Sequence, residues 1–313
     1  MTDPVLSVQI PVRNGGDDFR TCLESLSGQD TGGSPWELVI VDDGSETPVE
    51  EDFGGCFTGP AEVRVIRLEG PGNRPAARNA AWKATRAPLS LLSDGDILFP
   101  EGILLRHLEA HEAGSRDVVM GARVNAWRQD ATPWQRWFDS RAMGGRPAGA
   151  FPGRYFITGN LSMRTELLRS TGGFDTAIDR YGGEDTELGL RLEERGCAMH
   201  WEPSMEVLHL DAVTVRQHSR KMLEYGSSGL RYTLEKHGGA GGLLGSHWVK
   251  PLLAVPLSPA TVAMRVVCLA ALTPPVYRLA LRWAERFGRP GFLFTYLSVG
   301  ACLMGLKGVE ADI

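Results

Sequence analysis

Short apolar runs alternate with segments of helical periodicity along the first two thirds of the chain. Residues 6–10, 37–41 and 89–92 have the length and composition of buried strands, and each ends in a polar or glycine-rich turn. Further strands are predicted at 63–68 and 117–122, and helices are predicted to follow Asp17, Pro75, Glu101, Arg164 and Glu184. Because strand alternates with helix, the pattern predicts an α/β fold with a mostly parallel sheet flanked by helices.

Two carboxylates, Asp94 and Asp96, directly follow the apolar run 89–92 and are separated by Gly95. Open α/β sheets bind their ligands at the carboxyl ends of the strands. Mg²⁺ and Mn²⁺ prefer carboxylate oxygens, and the glycine lets the backbone turn closely under an ion. The pattern therefore favours a divalent-metal site, although Asp-Gly-Asp alone is also typical of a surface turn.

A second pair of acids, Asp42 and Asp43, follows the strand at 37–41. Two interpretations stay open: a tight turn, or an acid that accepts hydrogen bonds from a nucleobase or ribose. Arg78 lies on a helix rich in small residues that packs closely on the sheet. Its guanidinium is placed to reach a diphosphate at the same edge, the alternative being an exposed, solvated arginine.

The third acidic cluster, Glu184 and Asp185, opens a predicted helix and is preceded by Gly182 and Gly183. Helix capping and the helix dipole account for one or two acids there without any function. They do not account for the glycines, which we interpret as a hinge that lets substrate approach the carboxylates.

Two histidines, His200 and His209, follow on a strand-like stretch, where a neutral imidazole would complete the coordination of a metal or serve a structural role. Between the acidic clusters, residues 127–152 contain Trp127, Trp134 and Trp137. This segment is either a lid over an acceptor site or a source of core anchors, and the pattern favours core anchors for at least two of the tryptophans.

Composition narrows the class of protein. The net charge of −5 argues against a nucleic-acid partner, because nucleic-acid-binding proteins usually carry a basic surface. The five cysteines are odd in number, scattered and without a Cys-x-x-Cys, so we expect no disulfide framework and a reducing cytoplasm. The first residues lack a basic n-region, and no signal peptide is expected.

The glycine-rich stretch 238–242 predicts a linker between residues 1–237 and a tail, 238–313. Residues 243–313 carry seven Lys/Arg against three Asp/Glu, a net +4. The tail's apolar segments are 252–272, which Arg265 interrupts, and 292–306, which is short of the roughly 20 residues of a membrane span. A basic, apolar, helical tail fits a membrane interface, and it equally fits a helical pair packed on the rest of the chain or on a second subunit.

Taken in order, the motifs resemble family 2 glycosyltransferases of the GT-A fold over about residues 5–212. The resemblance implies a Rossmann-like nucleotide half at about 1–123 and an acceptor half at about 124–237, and it does not cover the C-terminal helical extension. The motifs that carry it are Ile10-Pro11-Val12-Arg13-Asn14, Val41-Asp42-Asp43-Gly44-Ser45, Ala77-Arg78-Asn79, Asp94-Gly95-Asp96, Gly159-Asn160, Gly172-Gly173-Phe174-Asp175 and Gly182-Gly183-Glu184-Asp185.

The resemblance also implies roles for individual residues. The catalytic base falls on Asp185, with Glu184 holding the acceptor or the base in place. The metal ligands fall on Asp96, on Asp94, which also lies near the ribose, and on His209. Donor contacts fall on Pro11, Arg13, Asp42 or Asp43, Arg78 and Asp94, and acceptor contacts fall on Gly159, Asn160 and Gly183.

The function implied is a metal-dependent, inverting transfer of a sugar from a nucleotide-diphospho-sugar, with UDP as the expected nucleotide. The acceptor is a carbohydrate or a lipid-linked molecule, as in cell-surface polysaccharide or glycolipid synthesis at the cytoplasmic face of the membrane, and a homodimer is an alternative use of the tail. Two other classes stay open: a nucleotidyltransferase, and a non-catalytic nucleotide-sugar-binding protein. The loop after the first strand offers Arg13 but no lysine for phosphates, which disfavours the nucleotidyltransferase.

Overall fold

A computed structural model describes residues 3–59, 61–70, 72–114, 116–126, 130–141, 143–238, 266, 270–289 and 291–309. The strands in these ranges are β1 (Leu6–Val12), β2 (Trp36–Asp42), β3 (Glu62–Arg67), β4 (Leu89–Ser93), β5 (Ile97–Leu98), β6 (Val118–Asn125), β7 (Gly149–Ala150), β8 (Asn160–Arg164) and β9 (Met199–His209). The helices are α1 (Gly16–Ser27), α2 (Val49–Phe53), α3 (Arg74–Ala84), α4 (Ile103–Glu112), α5 (Pro133–Asp139), α6 (Thr165–Thr171), α7 (Glu184–Glu194), α8 (Val215–Ser227), α9 (Gly229–Lys236), α10 (Pro274–Phe287) and α11 (Gly291–Leu306).

The strands form one sheet in the order β3-β2-β1-β4-β8-β6-β9-β5, with β7 paired to β9. Strands β3, β2, β1 and β4 are parallel neighbours, and β6 and β9 are also parallel to each other. Strand β8 runs antiparallel to both β4 and β6, and β5 runs antiparallel to β9. The predicted α/β fold with a mostly parallel sheet flanked by helices is confirmed, and the antiparallel β8 at its centre is an addition that the sequence pattern did not predict.

Helix α1 shows how the periodicity of the sequence translates into packing. Its apolar positions Phe19, Cys22, Leu23 and Leu26 are spaced three and four apart, and all four side chains are buried. They join the core with the alternate residues of β1, so this face of the helix closes one side of the sheet. The carboxyl ends of β1, β2 and β4 remain at the edge where the polar motifs follow.

A buried polar network holds α4 against β8. The two imidazole nitrogens of His107 lie 2.8 Å from Ser162 Oγ and 2.9 Å from Asn160 Oδ1. His111 Nε2 lies 2.9 Å from the same Ser162 hydroxyl, and its Nδ1 lies 3.0 Å from the carbonyl oxygen of Arg116. Burial lowers the pKa of His107 to about 4, because a charged imidazole would lose its hydration there.

We expect this network to make the fold sensitive to acid. In the unfolded chain His107 titrates near pH 6.5 and in the folded chain near 4, so the unfolded state binds more protons between these values. The free energy of unfolding therefore falls as the pH drops from 6.5 to 4, by up to about 1.4 kcal/mol per pH unit for this histidine. Urea denaturation at several pH values measures the slope. His107→Gln should flatten it, and an unchanged slope in His107→Gln would contradict the assignment.

The chain divides into two compact units. The first comprises Met1–Asp130, Asp139–Ala177 and Glu184–Ala212, and the second comprises Ala131–Phe138, Ile178–Gly183 and Val213–Ile313. The predicted boundary at 237/238 does not coincide with this division. Helices α8 and α9 belong to the second unit, because α8 packs so closely on α11 that a Cβ on Gly226 would collide with the carbonyl oxygen of Cys302.

The second unit has its own apolar core. Tyr277 and Leu281 of α10 and Leu297 and Met304 of α11 are fully buried there, together with Trp134 of α5. Trp134 stacks on Trp137 at a centroid distance of 5.2 Å and donates a hydrogen bond to the carbonyl oxygen of Val213, so these two tryptophans are core anchors of this unit. Trp127, residues 239–242 of the predicted linker and 252–265 of the predicted apolar segment lie outside the described residues.

Among the described helices, none combines the length and the apolar character needed to cross a bilayer.

Candidate active site

The carboxylate of Asp94, directly after β4, lies between two arginines of the first unit. Its Oδ1 accepts a hydrogen bond from Arg78 of α3 at 2.7 Å, and its Oδ2 accepts one from Arg123 of β6 at 2.9 Å. Burial alone would raise the pKa of Asp94, but the charges of the two guanidinium groups hold it well below its usual range. Asp94 is therefore a permanently ionised anchor for two cations, and Arg78 is 5% exposed rather than solvated.

The carboxylate of Asp96 is placed differently. Its Oδ2 lies 3.2 Å from Nε2 of His209, the last residue of β9. Its Oδ1 is buried and has no hydrogen-bond partner among the described residues. A carboxylate oxygen and an imidazole nitrogen are both ligands that Mn²⁺ and Mg²⁺ sites use, and an unpartnered buried oxygen is unfavourable unless something binds it. The residues therefore fit a cation held by Asp96 and His209.

Asp94 does not share this arrangement, because both of its oxygens are occupied by arginines. Among the described residues, no group of three His, Cys, Asp or Glu side chains is arranged to hold a metal ion. His200 is also separate from the pair: it lies near the start of β9, opposite Ala150 of β7, and its Nε2 is 3.8 Å from Glu202. The sequence suggested Asp94, Asp96, His200 and His209 as metal ligands. Of these four residues, the structure brings Asp96 and His209 together.

Glu184 and Asp185 form the first turn of α7. Glu184 is 4% exposed, and its Oε2 is buried without a hydrogen-bond partner among the described residues. Burial and the adjacent negative charge of Asp185 raise the pKa of Glu184 to about 7. Asp185 accepts hydrogen bonds from the backbone N–H and the hydroxyl of Thr158 at 3.0 and 3.1 Å. Burial also raises the pKa of Asp185, partly offset by the positive charge of Arg78.

A pair of adjacent acids with raised pKa values is suited to proton transfer near neutral pH. The influence of Arg78 on both acids places this pair in the electrostatic field of the Asp94 site.

Asp42 and Asp43 separate into two roles. Asp42 is 1% exposed and accepts hydrogen bonds from the backbone of Ser45 and from Arg67 at 2.6 Å. Although burial would raise its pKa, these bonds hold the pKa of Asp42 below its usual range, and no part of the carboxylate is left for a nucleoside. Asp43 is half-buried and accepts one hydrogen bond, from the backbone of Gly72 at 2.9 Å. Of the two acids, Asp43 is the one that can face a ligand.

The neighbouring loop carries the other predicted donor contacts. Arg13 is exposed after β1, and its charge acts on Asp43, while Pro11 is the only residue of β1 that is not buried. Asn14 ties this loop to the next one, because its side-chain oxygen accepts a hydrogen bond from the backbone of Glu46 at 2.9 Å and its own N–H donates to Ser45. The two loops therefore form one support for a ligand at this edge of the sheet.

The predicted acceptor residues serve the framework in this structure. Asn160 is 2% exposed, and its amide donates to the carbonyl oxygens of Ala122 and Met205 while its oxygen faces His107, so it has no free polar atom for an acceptor. Gly159 has a φ of 110°, and a Cβ there would come within 2.9 Å of Arg123 and 3.0 Å of Asp94. A side chain at 159 would therefore disturb the ion pair.

Gly182 and Gly183 have φ values of 83° and 100°, which only glycine adopts easily. Within the second unit, the Cα of Gly183 lies against the backbone of Gly229. Backbone conformation and close packing thus account for these glycines, and acceptor binding by Gly183 stays a prediction.

The motif Ala77-Arg78-Asn79 has a second function that the sequence did not reveal. The side chain of Asn79 donates to the carbonyl oxygen of Phe174 at 2.8 Å and accepts from its N–H at 2.9 Å. The same Asn79 oxygen accepts from the indole of Trp82, and Gly173 approaches both so closely that a Cβ would collide with them. This Asn79 clamp fixes the Gly172-Gly173-Phe174 turn against α3, one residue away from Arg78.

Two residues that bind the site acids were not singled out in the sequence. Arg123 lies within β6, whose other residues are mostly buried and apolar, and an arginine in such a strand is the signal that could have identified it. Thr158 is next to the Gly159-Asn160 motif, but nothing local indicates that its hydroxyl reaches Asp185, which is 27 positions away in sequence.

A sheet of this topology, with acids and arginines gathered beyond the carboxyl ends of β1, β2 and β4, defines the chain as an α/β protein of the GT-A type. The sequence profile of glycosyl transferase family 2 matches residues 7–172, more than half of the chain. The chain therefore belongs to glycosyl transferase family 2. A second profile, described as the N-terminal domain of galactosyltransferase, matches residues 147–213.

Curated relatives lie at moderate identity. The pre-mycofactocin glycosyltransferase of Mycobacterium tuberculosis is 28% identical over 230 residues, which are 71% of this chain and 46% of that protein. The validoxylamine A glucosyltransferase of Streptomyces hygroscopicus subsp. limoneus is 28% identical over 224 residues, 63% of this chain and 49% of that protein. The chain spans about half the length of these relatives.

Solved structures share the fold. A mannosyltransferase from Pyrobaculum calidifontis, solved with GDP-Man and Mn²⁺, superimposes with a TM-score of 0.57 at 16% identity, covering 99% of this chain and 89% of that one. TarS 1–349 of S. aureus, solved with UDP, gives a TM-score of 0.53 at 17% identity, covering 97% and 90%. The predicted GT-A fold is confirmed by these neighbours.

Proposed function

We propose that the chain is a metal-dependent, inverting glycosyltransferase that moves a sugar from a nucleotide-diphospho-sugar to an acceptor hydroxyl. The observation that carries this proposal is the carboxylate of Asp96, whose Oδ2 lies 3.2 Å from Nε2 of His209 and whose buried Oδ1 has no hydrogen-bond partner among the described residues. Membership of glycosyl transferase family 2 and the raised pKa values of Glu184 and Asp185 support it.

Asp96 and His209 would hold the divalent cation, Mn²⁺ or Mg²⁺. When bound there, a cation supplies positive charge that stabilises the diphosphate as it departs. The Mn²⁺ reported with GDP-Man in the structurally similar mannosyltransferase supports a metal of this kind. Arg78 and Arg123, held by Asp94, add two fixed guanidinium groups at the same edge.

Asp185 is the proposed general base. It takes the proton of the acceptor hydroxyl, whose oxygen attacks the anomeric carbon on the face opposite the diphosphate. The new carbon–oxygen bond forms as the bond to the diphosphate breaks, so a single displacement inverts the configuration. Thr158 orients Asp185 through its N–H and hydroxyl, and Glu184, with a pKa near 7, holds the acceptor or the base in place.

The nucleoside is proposed to contact Pro11, Arg13 and Asp43. Asp43 is the acid at this edge with a partly exposed carboxylate, and a carboxylate can accept a hydrogen bond from the N3–H of uracil. UDP is therefore the proposed nucleotide, in keeping with the UDP bound by the structurally similar TarS. The proposed acceptor is a carbohydrate or a lipid-linked molecule, in cell-surface polysaccharide or glycolipid synthesis on the cytoplasmic side.

The test is a donor panel of UDP-, GDP- and dTDP-sugars, each assayed for release of the nucleoside diphosphate with Mn²⁺, with Mg²⁺ and with EDTA. We expect release from a UDP-sugar that depends on the metal. Release of pyrophosphate from a nucleoside triphosphate and a sugar 1-phosphate would instead indicate a nucleotidyltransferase. Tight binding of UDP-sugars without turnover across a panel of acceptors would indicate a non-catalytic binding protein.

A further inference from the structure

Helix α10 exposes a stripe of large apolar side chains that the proposed reaction does not use. Val276, Leu279, Trp283 and Phe287 are 47, 68, 53 and 54% exposed, and they follow each other at intervals of three, four and four residues. The rings of Trp283 and Phe287 lie 4.5 Å apart, so the stripe is continuous at its C-terminal end. Large apolar side chains gathered on one exposed surface indicate a contact with another molecule or with a membrane.

The rest of α10 shows why this stripe is exposed. Successive residues of an α-helix advance by about 100°, which places the buried Tyr277, Leu281 and Ala284 on one face. The apolar stripe lies about 120° away from that face around the axis. Since Tyr277 and Leu281 are fully buried and Ala284 is 3% exposed, the helix is fixed through this face, and the stripe cannot turn inward without opening the core of the second unit.

A third face of α10 is basic. Arg278, Arg282 and Arg286 are exposed and spaced four residues apart, so they share one face of the helix. Around the helix axis, the apolar stripe lies between this face and the buried face. No ion pair joins these three arginines to a carboxylate among the described residues, and Arg286 lies over the ring of Phe287 at 5.8 Å. The acid of this helix, Glu285, is instead paired with Arg216 of α8 at 2.7 Å.

We propose that α10 docks in the plane of an anionic lipid membrane, with Leu279, Trp283 and Phe287 inserted at the interface and the three arginines against the headgroups. An exposed apolar stripe that contains Trp, Phe and Leu, flanked on one side by arginines, is the composition of an interfacial helix. Long arginine side chains reach past the apolar boundary to anionic headgroups. This inference goes beyond the proposed transfer reaction and does not depend on it.

The charge of the arginine face favours a membrane over an antiparallel pairing with a second copy of the chain. In an antiparallel two-fold pairing of two α10 helices through the apolar stripe, the six arginines would lie on the same side of the contact, and no described carboxylate forms an ion pair with them. An anionic bilayer supplies that compensation along the whole face.

The structure also corrects which part of the tail would enter a membrane. The sequence suggested the apolar segments 252–272 and 292–306. Most of the first lies outside the described residues, and Phe294, Leu297, Ala301 and Met304 of the second are buried in the core of the second unit. For most of that segment, the alternative of packing on other helices therefore holds. Phe292 and Val299 of this segment are exposed, but the row of exposed apolar side chains three and four residues apart belongs to α10, where apolar residues alternate with charged ones.

The experiment is flotation of the full chain with vesicles of phosphatidylcholine alone or rich in phosphatidylglycerol, at low salt. We expect binding to the anionic vesicles, reduced by added salt. Changing the arginines together (Arg278→Gln, Arg282→Gln, Arg286→Gln) should lower the partition coefficient on the order of 100-fold. Leu279→Ser with Trp283→Ser should lower it about tenfold for each side chain.

Val299→Ser is the matched control, because Val299 is a 50% exposed apolar residue of α11 outside the stripe. It should bind vesicles as the unchanged chain does, and unchanged circular dichroism would show that every variant is folded. Wild-type protein that stays unbound at low salt would overturn the proposal. Equal vesicle binding by the wild type and by the variant with Leu279→Ser and Trp283→Ser would also overturn it. So would a dimer in sedimentation velocity that these two changes dissociate, if no vesicle binding is seen.

Discussion

Asp96→Ala is expected to abolish metal-dependent binding of the nucleotide-sugar and to lower kcat/KM by about 10³-fold or more. The change removes the oxygen that has no partner among the described residues and the one that lies 3.2 Å from His209. Stabilisation of a leaving group by a metal is worth several kcal/mol, and about 1.4 kcal/mol corresponds to a factor of ten in rate. Calorimetric titration of UDP with and without Mn²⁺, followed by steady-state kinetics, measures both effects.

Asp117→Asn is the matched control for this experiment, together with Asp96→Asn as the isosteric change at the site. Asp117 is a partly exposed carboxylate at the start of β6 that is paired with Arg164 at 3.7 Å, away from the proposed metal ligands. The Asp117→Asn variant should bind UDP with Mn²⁺ as the wild type does, whereas the Asp96→Asn variant should not. Equal affinity for the metal–nucleotide complex in Asp96→Asn and in the wild type would remove Asp96 from the role of metal ligand.

Asp185→Asn is expected to leave donor binding intact while kcat falls by about 10²–10⁴-fold, the usual contribution of a general base. The amide keeps an oxygen that can accept a hydrogen bond from Thr158, so the first turn of α7 should hold its geometry. The pH dependence provides a second readout. Burial raises the pKa of Asp185, so in the wild type kcat should rise with pH as this carboxyl loses its proton, and the rise should disappear in the variant.

Glu166→Gln offers a comparison with Asp185→Asn, because Glu166 is also an acid in the first turn of a helix, α6, but is exposed and paired with Arg169. Its kcat and pH profile should match those of the wild type. If Asp185→Asn turned over at near the wild-type rate, or kept the rise of kcat with pH, another group would have to be the base. Glu184, whose pKa is raised to about 7, would then be the first to test.

The sequence predicted the parallel part of the fold well, because each element there is specified locally. Strands β1, β2 and β4 are short apolar runs that end at turn residues, and α1 shows its buried face as a three-and-four spacing. The positions of Asp94 and Asp96 followed from the same pattern, since residues after a parallel strand lie at the carboxyl edge of the sheet. The pairing of Asp96 with His209 depends on β9, whose end reaches that edge from another part of the chain.

The roles of several motif residues could not be read from the sequence, because partners distant in the chain determine them. Asn160 is buried because it is hydrogen-bonded to His107 and to the backbone of Met205, and the Gly159-Asn160 motif alone does not predict these distant partners. Asp42 and Asp43 are neighbours with the same chemistry, and they differ because Arg67 of β3 reaches one of them. The antiparallel β8 was missed for a similar reason: its direction is set by pairing with β4 and β6, not by its own residues.

The Asn79 clamp bears on how members of such a family can diverge. Asn79 binds both backbone groups of Phe174, which is 95 positions further along the chain, and this places the two ends of that stretch side by side whatever its length. Insertions and deletions in the exposed turns between them, such as 144–149, can therefore lengthen or shorten this stretch without moving the turn at Gly173 relative to α3. The stretch between α3 and this turn can in this way change in length while Arg78, next to Asn79, keeps its place beside Asp94.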